Sequence, residues 1–310
     1  MIESTDYDVI IVGGGPAGLS AATYAGRREL KTLVVSKDIG GQITKTSEIE
    51  NYPALDHVSG SELAQLFYKQ AKKFGADFVF EETKSIQKKP LGITTSTKSY
   101  TAKTIILAFG KKPRSLGVPG EEELAGKGVS YCATCDAPFF RNKTVAVVGG
   151  GNSALEAAII SSAVAKQVYL IHRRDSFRGE EILIDQVKAT KNIEIILEDN
   201  VSQIIGGNKV TAIKLESGKD LDVDGVIVEI GFVIDRSLIE GLVDLDDKGQ
   251  VVVDKLQSTN IPGVFAAGDI TTTAYKQIVI AASEGATSAL SAYDYIQKSI
   301  GKRGILADWH

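Results

Sequence analysis

The two cysteines of the chain form a single Cys-x-x-Cys motif, at Cys132 and Cys135. A zinc site needs about four ligands, and the three histidines are scattered along the sequence, so the pair does not favour a metal. A purely structural disulfide at this spacing would close a tiny loop and add little stability. The spacing does allow a reversible disulfide, so the motif predicts a redox-active dithiol.

Asp136 follows the second cysteine directly. A carboxylate beside a thiol pair is suited to moving a proton while bonds to sulfur break. The alternative is a residue that only caps or turns the local backbone. Cys132, Cys135 and Asp136 are therefore the candidate catalytic residues.

A glycine-rich turn of the form Gly-x-Gly-x-x-Gly begins at Gly13, after an apolar strand-like run and before a helix-like stretch. The first glycine permits the tight turn, the second lets the backbone approach a pyrophosphate, and the third lets helix and strand pack closely. A proline suits the first helical turn, and the free N–H groups of that turn attract phosphate. The predicted dinucleotide contacts are Gly13, Gly15, Pro16, Ala17 and Gly18.

A second turn of the same kind begins at Gly149, again between a strand-like run and a helix-like stretch. Its last position is alanine, which the dinucleotide pattern tolerates. The alternative at either turn is an ordinary loop before a helix, with no bound nucleotide, but the flanking strands favour a nucleotide site. The predicted contacts of this second site are Gly149, Gly151, Asn152, Ser153 and Ala154.

The strand after the second turn ends in a basic cluster instead of the acid typical of NAD sites. Arginine side chains match a phosphate dianion with two parallel hydrogen bonds. The cluster therefore predicts a 2′-phosphate, and so NADPH in place of NADH, although a solvated basic turn is the alternative. The predicted contacts are His172, Arg173, Arg174 and Arg178.

Both glycine turns lie in a strand, turn, helix, strand arrangement, which is typical of a doubly wound α/β fold with buried parallel strands. Helical patterns run from the turns to about Arg28 and about Ala165, and a long one covers about Gln277 to Ser299. Alternating stretches near 79–100 and 201–224 predict smaller antiparallel strands. Further strands are predicted at Thr104 to Phe109, Gly225 to Ile230 and Gly263 to Ala267.

Length and charge limit the function further. A chain of 310 residues has room for about two domains. A net charge of −4 has the wrong sign for a nucleic-acid partner. No apolar run approaches the ~18 residues that would span a membrane, and the acidic start does not look like a signal peptide. A cytoplasmic protein without a metal is the expectation.

Together these motifs resemble the low-molecular-weight thioredoxin reductases, over roughly residues 6–300 and in family order. By that resemblance the first turn and residues 259–269 bind FAD. The cysteine pair then corresponds to the family's redox motif, and the arginine cluster corresponds to its motif for the 2′-phosphate of NADPH. Two positions depart from the family: no proline follows Gly231, and Lys276 replaces an arginine. The further FAD contacts that the resemblance implies are Gly41, Gln42, Asn51, Gly268, Asp269, Lys276, Gln277 and Ile278.

The resemblance also implies an architecture and an activity. The expected fold has two Rossmann-like domains of the three-layer ββα type, with the NADPH domain inserted into the FAD domain. FAD would bind to 1–112 and 244–310, and NADPH to 113–243, which carries the cysteine pair. A homodimer in which NADPH reduces FAD, FAD reduces the Cys132–Cys135 disulfide, and the dithiol reduces thioredoxin is the expected enzyme.

Two alternatives stay open at this point. The first is a flavoprotein reductase of the same fold with another donor or partner, such as a peroxide-reducing system or a glutaredoxin-like protein. The second is a flavin-binding redox sensor without NADPH turnover, which the missing proline after Gly231 slightly favours and the intact arginine cluster opposes.

Overall fold

The computed structural model describes residues 6–46 and 48–302. Its α-helices are α1 (Pro16–Arg27), α2 (Gly60–Lys73), α3 (Ala133–Asp136), α4 (Asn152–Ser162), α5 (Glu181–Ala189) and α6 (Ile278–Ser299). Its first nine strands are β1 (Tyr7–Val12), β2 (Thr32–Val35), β3 (Asp77–Val79), β4 (Ser85–Lys88), β5 (Leu91–Thr94), β6 (Ser99–Leu107), β7 (Lys112–Pro113), β8 (Val129–Ser130) and β9 (Thr144–Val148). The remaining strands are β10 (Gln167–His172), β11 (Ile193–Leu197), β12 (Val201–Gly206), β13 (Val210–Leu215), β14 (Asp220–Asp222), β15 (Gly225–Val228), β16 (Phe232–Val233) and β17 (Val264–Ala266).

The described chain divides into two compact units. Unit 1 comprises residues 6–44, 52–112 and 234–302, and unit 2 comprises 45–46, 48–51 and 113–233. Each unit contains one of the two glycine turns.

A parallel sheet forms the centre of unit 1. Its strands run in the order β3-β2-β1-β6, and β17 pairs with the second half of β6. The first half of β6 pairs antiparallel with β5, which in turn pairs with β4. Since parallel strands end at one edge, the residues that follow β1, β6 and β17 lie together at that edge.

Alternating side chains of β1 build two apolar layers. Val9 and Ile11 pack with the alanines of α1 and α6, whereas Ile10 and Val12 pack on the opposite face, where Ile93 of β5 lies. Small residues let α1 and α6 pack very closely. A Cβ on Gly285 would lie 2.0 Å from the carbonyl oxygen of Ala17, so the contact leaves no room for a side chain. Unit 1 therefore has a helical layer, a parallel sheet and an antiparallel layer.

Unit 2 repeats this three-layer plan. Its parallel sheet has the order β11-β10-β9-β15-β8, and β12, β13 and β14 form a separate antiparallel sheet. Along β9, Val145 and Val147 pack with α4, whereas Ala146 and Val148 pack with Ile213 and its neighbours in the antiparallel sheet. The plan confirms the predicted α/β class and the predicted antiparallel stretches.

The predicted elements form with small differences at their ends. The helix after the second turn ends at Ser162, three residues before the expected end at Ala165, because the N–H groups of Val164 and Ala165 both return to the carbonyl of Ser161. The long C-terminal helix matches its expected span within one residue. None of the described helices combines the length and the apolar character needed to cross a membrane.

Candidate redox and nucleotide sites

The redox turn lies at the carboxyl end of β8, the edge strand that pairs in parallel with β15. Cys132 and Cys135 form a disulfide. The short helix α3 begins at Ala133, and the N–H groups of Cys135 and Asp136 donate to the carbonyl of Cys132 at 3.2 and 3.0 Å. The turn is thus held by its own backbone as well as by the sulfur–sulfur bond.

Asp136 places its carboxylate beside this turn. Its Oδ2 accepts a hydrogen bond of 2.5 Å from the hydroxyl of Ser130. Its Oδ1 is shielded from solvent and has no hydrogen-bond partner among the described residues. Burial raises the pKa of Asp136 above its ordinary value, and the Ser130 hydrogen bond opposes that shift. The carboxyl group is therefore biased toward carrying a proton.

The first glycine turn fits a pyrophosphate. Gly13 has a φ of 118° and lies so close to β6 that a Cβ there would be 2.4 Å from the carbonyl oxygen of Ala108. A Cβ on Gly18 would lie 1.9 Å from the carbonyl oxygen of Gly13. At Gly15, by contrast, the nearest atom to a Cβ is 3.9 Å away. The outer glycines are thus required by packing, whereas the space at the middle one suits an approaching phosphate.

Side chains from three segments of unit 1 meet near this turn. Gly41 lies against it, since a Cβ there would be 3.7 Å from the Cα of Gly15. The next residue, Gln42, places its amide Nε2 3.5 Å from the Asp269 carboxylate. Burial raises the pKa of Asp269, and the nearby ammonium groups of Lys111 and Lys276 oppose the shift. The structure thus brings together predicted residues that are far apart in the sequence.

Lys276 keeps the positive charge of the arginine expected there and is half-buried. Its ammonium group donates to the carbonyl of Thr271 at 2.7 Å. Burial lowers its pKa, and the Asp269 carboxylate opposes that change. Gln277 and Ile278 follow as the N-cap and the first residue of α6, whereas Asn51 is exposed in the segment 48–51 of unit 2.

Glu284 is a buried acid on the apolar face of α6 and was not predicted. Its Oε2 accepts a hydrogen bond of 2.6 Å from the N–H of Gly268 and lies 3.4 Å from the Thr271 hydroxyl. It therefore holds the turn that carries Asp269. The sequence does contain a signal for Glu284: it is a charged residue on a helix face that otherwise presents alanine and glycine.

The second glycine turn has the same division of roles. Gly149 has a φ of 151°, and a Cβ there would lie 2.2 Å from the carbonyl oxygen of Glu229. At Gly151 no atom of the described residues lies within 4 Å of a Cβ position. Ser153 is exposed in the first turn of α4, and Ala154 is buried behind it. The open space in front of Gly151 suits a second phosphate group.

The His172 ring connects this turn to the arginine segment. The ring lies on Gly150, where a Cβ would be 2.2 Å from Nδ1, and it stacks on Phe177 with a centroid distance of 5.6 Å. Burial lowers the pKa of His172, and its Nε2 has no partner among the described residues. His172 is therefore a neutral wall of the predicted phosphate site.

The arginine segment is also fixed by its backbone. The N–H of Arg178 donates to the carbonyl of Gly150 at 2.8 Å. Beyond it, Asn152 exchanges two hydrogen bonds with Glu180, one of 2.9 Å to the carboxylate and one of 2.8 Å from the N–H. The side chains of Arg173, Arg174 and Arg178 are exposed. The predicted arginines and the predicted glycine turn thus lie side by side, with exposed guanidinium groups available for a phosphate.

Sequence reasoning missed four residues that shape these sites: Ser130, Phe177, Glu180 and Glu284. Ser130 and Glu180 have no motif of their own, because their roles depend on partners that the fold supplies. The side chain of Asn152, expected at the nucleotide, is occupied with Glu180.

Comparison with known proteins agrees with this geometry. A thioredoxin reductase from Listeria innocua is 40% identical over 305 residues, which cover 96% of this chain and 96% of that protein. A thioredoxin reductase from Treponema pallidum is 42% identical over 301 residues, which cover 94% of this chain and 98% of that protein. The crystal structure of thioredoxin reductase from Streptococcus pyogenes matches with a TM-score of 0.90 at 38% identity, covering 94% of this chain and 98% of that one.

These relatives confirm the resemblance to low-molecular-weight thioredoxin reductases. The pyridine nucleotide-disulphide oxidoreductase family matches residues 7–285, which include both glycine turns and the redox turn. With a family match over most of the chain and a relative 40% identical over nearly its full length, the chain belongs to the pyridine nucleotide-disulphide oxidoreductase family.

Proposed function

We propose that this protein is an NADPH-dependent thioredoxin-disulfide reductase that uses FAD. The observation that carries the proposal is the Cys132–Cys135 disulfide beside the shielded carboxyl group of Asp136. The proposal is supported by thioredoxin reductases at about 40% identity over nearly the whole chain. A sensor without turnover would need neither a proton donor beside a disulfide nor exposed arginines beside the second glycine turn.

FAD binds in unit 1, where it supplies a carrier that accepts a hydride and passes an electron pair to a disulfide. The backbone around Gly15 holds its pyrophosphate, as the open space at that residue supports. At the edge of the sheet, the Asp269 carboxylate supplies hydrogen-bond acceptors and the Gln42 amide supplies a donor. The N-terminus of α6 and the Lys276 ammonium group favour negative charge there.

NADPH binds in unit 2. The backbone around Gly151 holds its pyrophosphate, and the guanidinium groups of Arg173, Arg174 and Arg178 bind the 2′-phosphate. The stacked rings of His172 and Phe177 would line the site beside this end of the nucleotide. Because no acid ends β10, NADH lacks there the carboxylate that usually binds its ribose hydroxyls.

The redox turn carries out the thiol chemistry. An electron pair enters the disulfide, the sulfur–sulfur bond breaks, and Asp136 supplies a proton to one sulfur. The other sulfur, as a thiolate, attacks the disulfide of thioredoxin, and the mixed disulfide is resolved by the neighbouring thiol. Each cycle moves two electrons to thioredoxin, whose two thiols gain two protons.

The remaining assignments are part of the same proposal. The FAD-binding domain consists of 1–112 and 244–310, and the NADPH-binding domain of 113–243 is inserted between them. The protein acts as a homodimer in the cytoplasm. A reducing compartment is supported by cysteine usage, since both cysteines belong to the redox motif and no further disulfide framework exists.

Anaerobic titration with NADPH tests the proposal. We expect the wild type to take up about twice the reducing equivalents of Cys135→Ser, because the flavin and the disulfide each hold one electron pair. The variant should still bleach its flavin with NADPH but should not reduce thioredoxin. Equal uptake by both proteins, or thioredoxin turnover by Cys135→Ser, would exclude the mechanism.

A further inference from the structure

Ser130 lies at the end of β8, two residues before Cys132, and is only 4% exposed. Its hydroxyl makes contact with both partners of the redox chemistry. The Oγ atom lies 2.5 Å from Oδ2 of Asp136 and accepts a hydrogen bond of 3.1 Å from the N–H of Cys132. A third atom, the carbonyl oxygen of Cys132, is farther away at 3.4 Å.

A hydroxyl group has one proton to donate. Since Ser130 already accepts from Cys132, its proton is directed to the nearest acceptor, which is Oδ2 of Asp136 at 2.5 Å rather than the carbonyl at 3.4 Å. An oxygen that accepts this bond is the poorer site for the proton of the carboxyl group itself. Oδ1 is shielded from solvent and has no hydrogen-bond partner among the described residues. It is therefore the oxygen that carries the proton of the carboxyl group.

We propose that Ser130 is a positioning residue that keeps Oδ2 of Asp136 as an acceptor, so that the proton delivered to the cysteine sulfur travels on Oδ1. This inference rests on the proposed function, because it assumes that Asp136 protonates a sulfur. Proton transfer needs a fixed donor direction. Ser130 supplies it from the strand that leads into the redox turn, and its bond to Cys132 aligns the turn with the carboxyl group.

Burial raises the pKa of Asp136, and the hydrogen bond from Ser130 lowers it. Its own turn carries only the disulfide. Among the elements packed against that turn, α4 carries Glu156, and Arg141 and Lys143 follow the 3-10 turn Ala137–Phe140; all three are exposed. Burial and Ser130 are therefore the two influences that a variant can change, and Ser130 is the one that a single substitution removes.

The test is the pH dependence of electron transfer from reduced flavin to the disulfide, followed by stopped flow. A hydrogen bond donated to a carboxylate favours the charged form. Ser130→Ala removes it, so Asp136 should hold its proton to higher pH. We expect the alkaline limb of the rate profile to move upward by about one pH unit, since a bond to a charged group is worth about that much.

Ser130→Thr and Ser130→Val provide the matched pair, because the two side chains have the same shape and only threonine has a hydroxyl. We expect threonine to retain the wild-type profile and valine to behave like alanine, which separates the hydroxyl from any effect on folding. In the infrared spectrum of the oxidised protein at acid pH, where Asp136 carries a proton, its carboxyl group should give one carbonyl band, absent from Asp136→Asn. In Ser130→Val this band should broaden, because either oxygen can then carry the proton.

An unmoved alkaline limb in both Ser130→Ala and Ser130→Val would overturn the role of Ser130. A shift of the same size when Ser130→Ala is combined with Asp136→Asn would do so too, since no carboxyl group then remains to respond. Failure of the proposed function looks different: the wild type itself would take up no more reducing equivalents than Cys135→Ser.

Discussion

Ser130, His172 and Glu284 share one property at the scale of single residues: each is a buried polar side chain that orders a neighbour with a predicted role. Ser130 contacts Asp136, the His172 ring lies on the second glycine turn, and Glu284 accepts a hydrogen bond from the N–H of Gly268. The predicted residues could be recognised because their chemistry is encoded in local spacing. Ser130 and Glu284 could not, because the fold, and not a sequence motif, places them against Asp136 and Gly268. His172 was predicted as part of the basic cluster that ends its strand.

The arginine segment gives a prediction at this scale. Replacing both Arg173 and Arg174 with alanine should raise KM for NADPH by about tenfold to a hundredfold, because each charge-assisted bond to a phosphate is worth about a factor of ten. KM for NADH should change little, since it lacks the 2′-phosphate. Steady-state kinetics with both nucleotides measure the split.

Arg141 serves as the control, since it is exposed in the same unit but lies outside the segment. Its replacement with alanine should leave both values of KM unchanged. Equal losses with NADPH and NADH in the double variant would show that the arginines do not read the 2′-phosphate.

At the scale of elements, the parallel strands end at one edge of each sheet and collect the site residues there. Their interiors were predictable, because near-continuous apolar runs rich in valine, isoleucine and leucine are typical of buried parallel strands. The helix ends were less so: α4 stops at Ser162 without a glycine or a proline to mark it. The turn between β17 and α6 was known only as a motif, and Glu284 explains why it keeps its shape.

Glu284 gives the prediction for this element. Glu284→Ala should weaken FAD binding by about tenfold or more, because it leaves the buried N–H of Gly268 without its acceptor. Glu284→Gln keeps an acceptor oxygen and should lose less. The dissociation constant for FAD, measured by the fluorescence recovered on release, checks both variants.

Ser283→Ala is the matched control, because Ser283 is the exposed neighbour on α6. It should bind FAD like the wild type. An unchanged dissociation constant in Glu284→Ala would mean that the turn holds Asp269 without help from α6.

The described chain consists of two units with the same three-layer plan. Under the proposed function, the two units divide the chemistry between them. The duplication could be predicted because both glycine turns stand in the same strand, turn, helix, strand order. The assignment of FAD to one unit and NADPH to the other depends on a few side chains at the strand ends, because the two folds are alike. The end of the NADPH domain at residue 243 stays a prediction, because no stretch of distinctive composition marks it.

Amide hydrogen exchange tests which segments each nucleotide binds. FAD should slow exchange at 13–18 and 268–278, and NADP⁺ should slow it at 149–154 and 172–178, each by up to about a hundredfold at saturating ligand. Arg173→Ala combined with Arg174→Ala should weaken only the second effect. Protection of the same segments by both nucleotides would contradict the division.

The middle glycines have a consequence for how such a sequence diverges. Gly13 and Gly18 are required by neighbouring backbone atoms, whereas the space at Gly15 is open within the protein. A descendant that had lost its cofactor would therefore be free to change Gly15 and Gly151, while Gly13, Gly18 and Gly149 stayed constant. Across distant relatives, the middle position alone would record which lineages still carry a nucleotide.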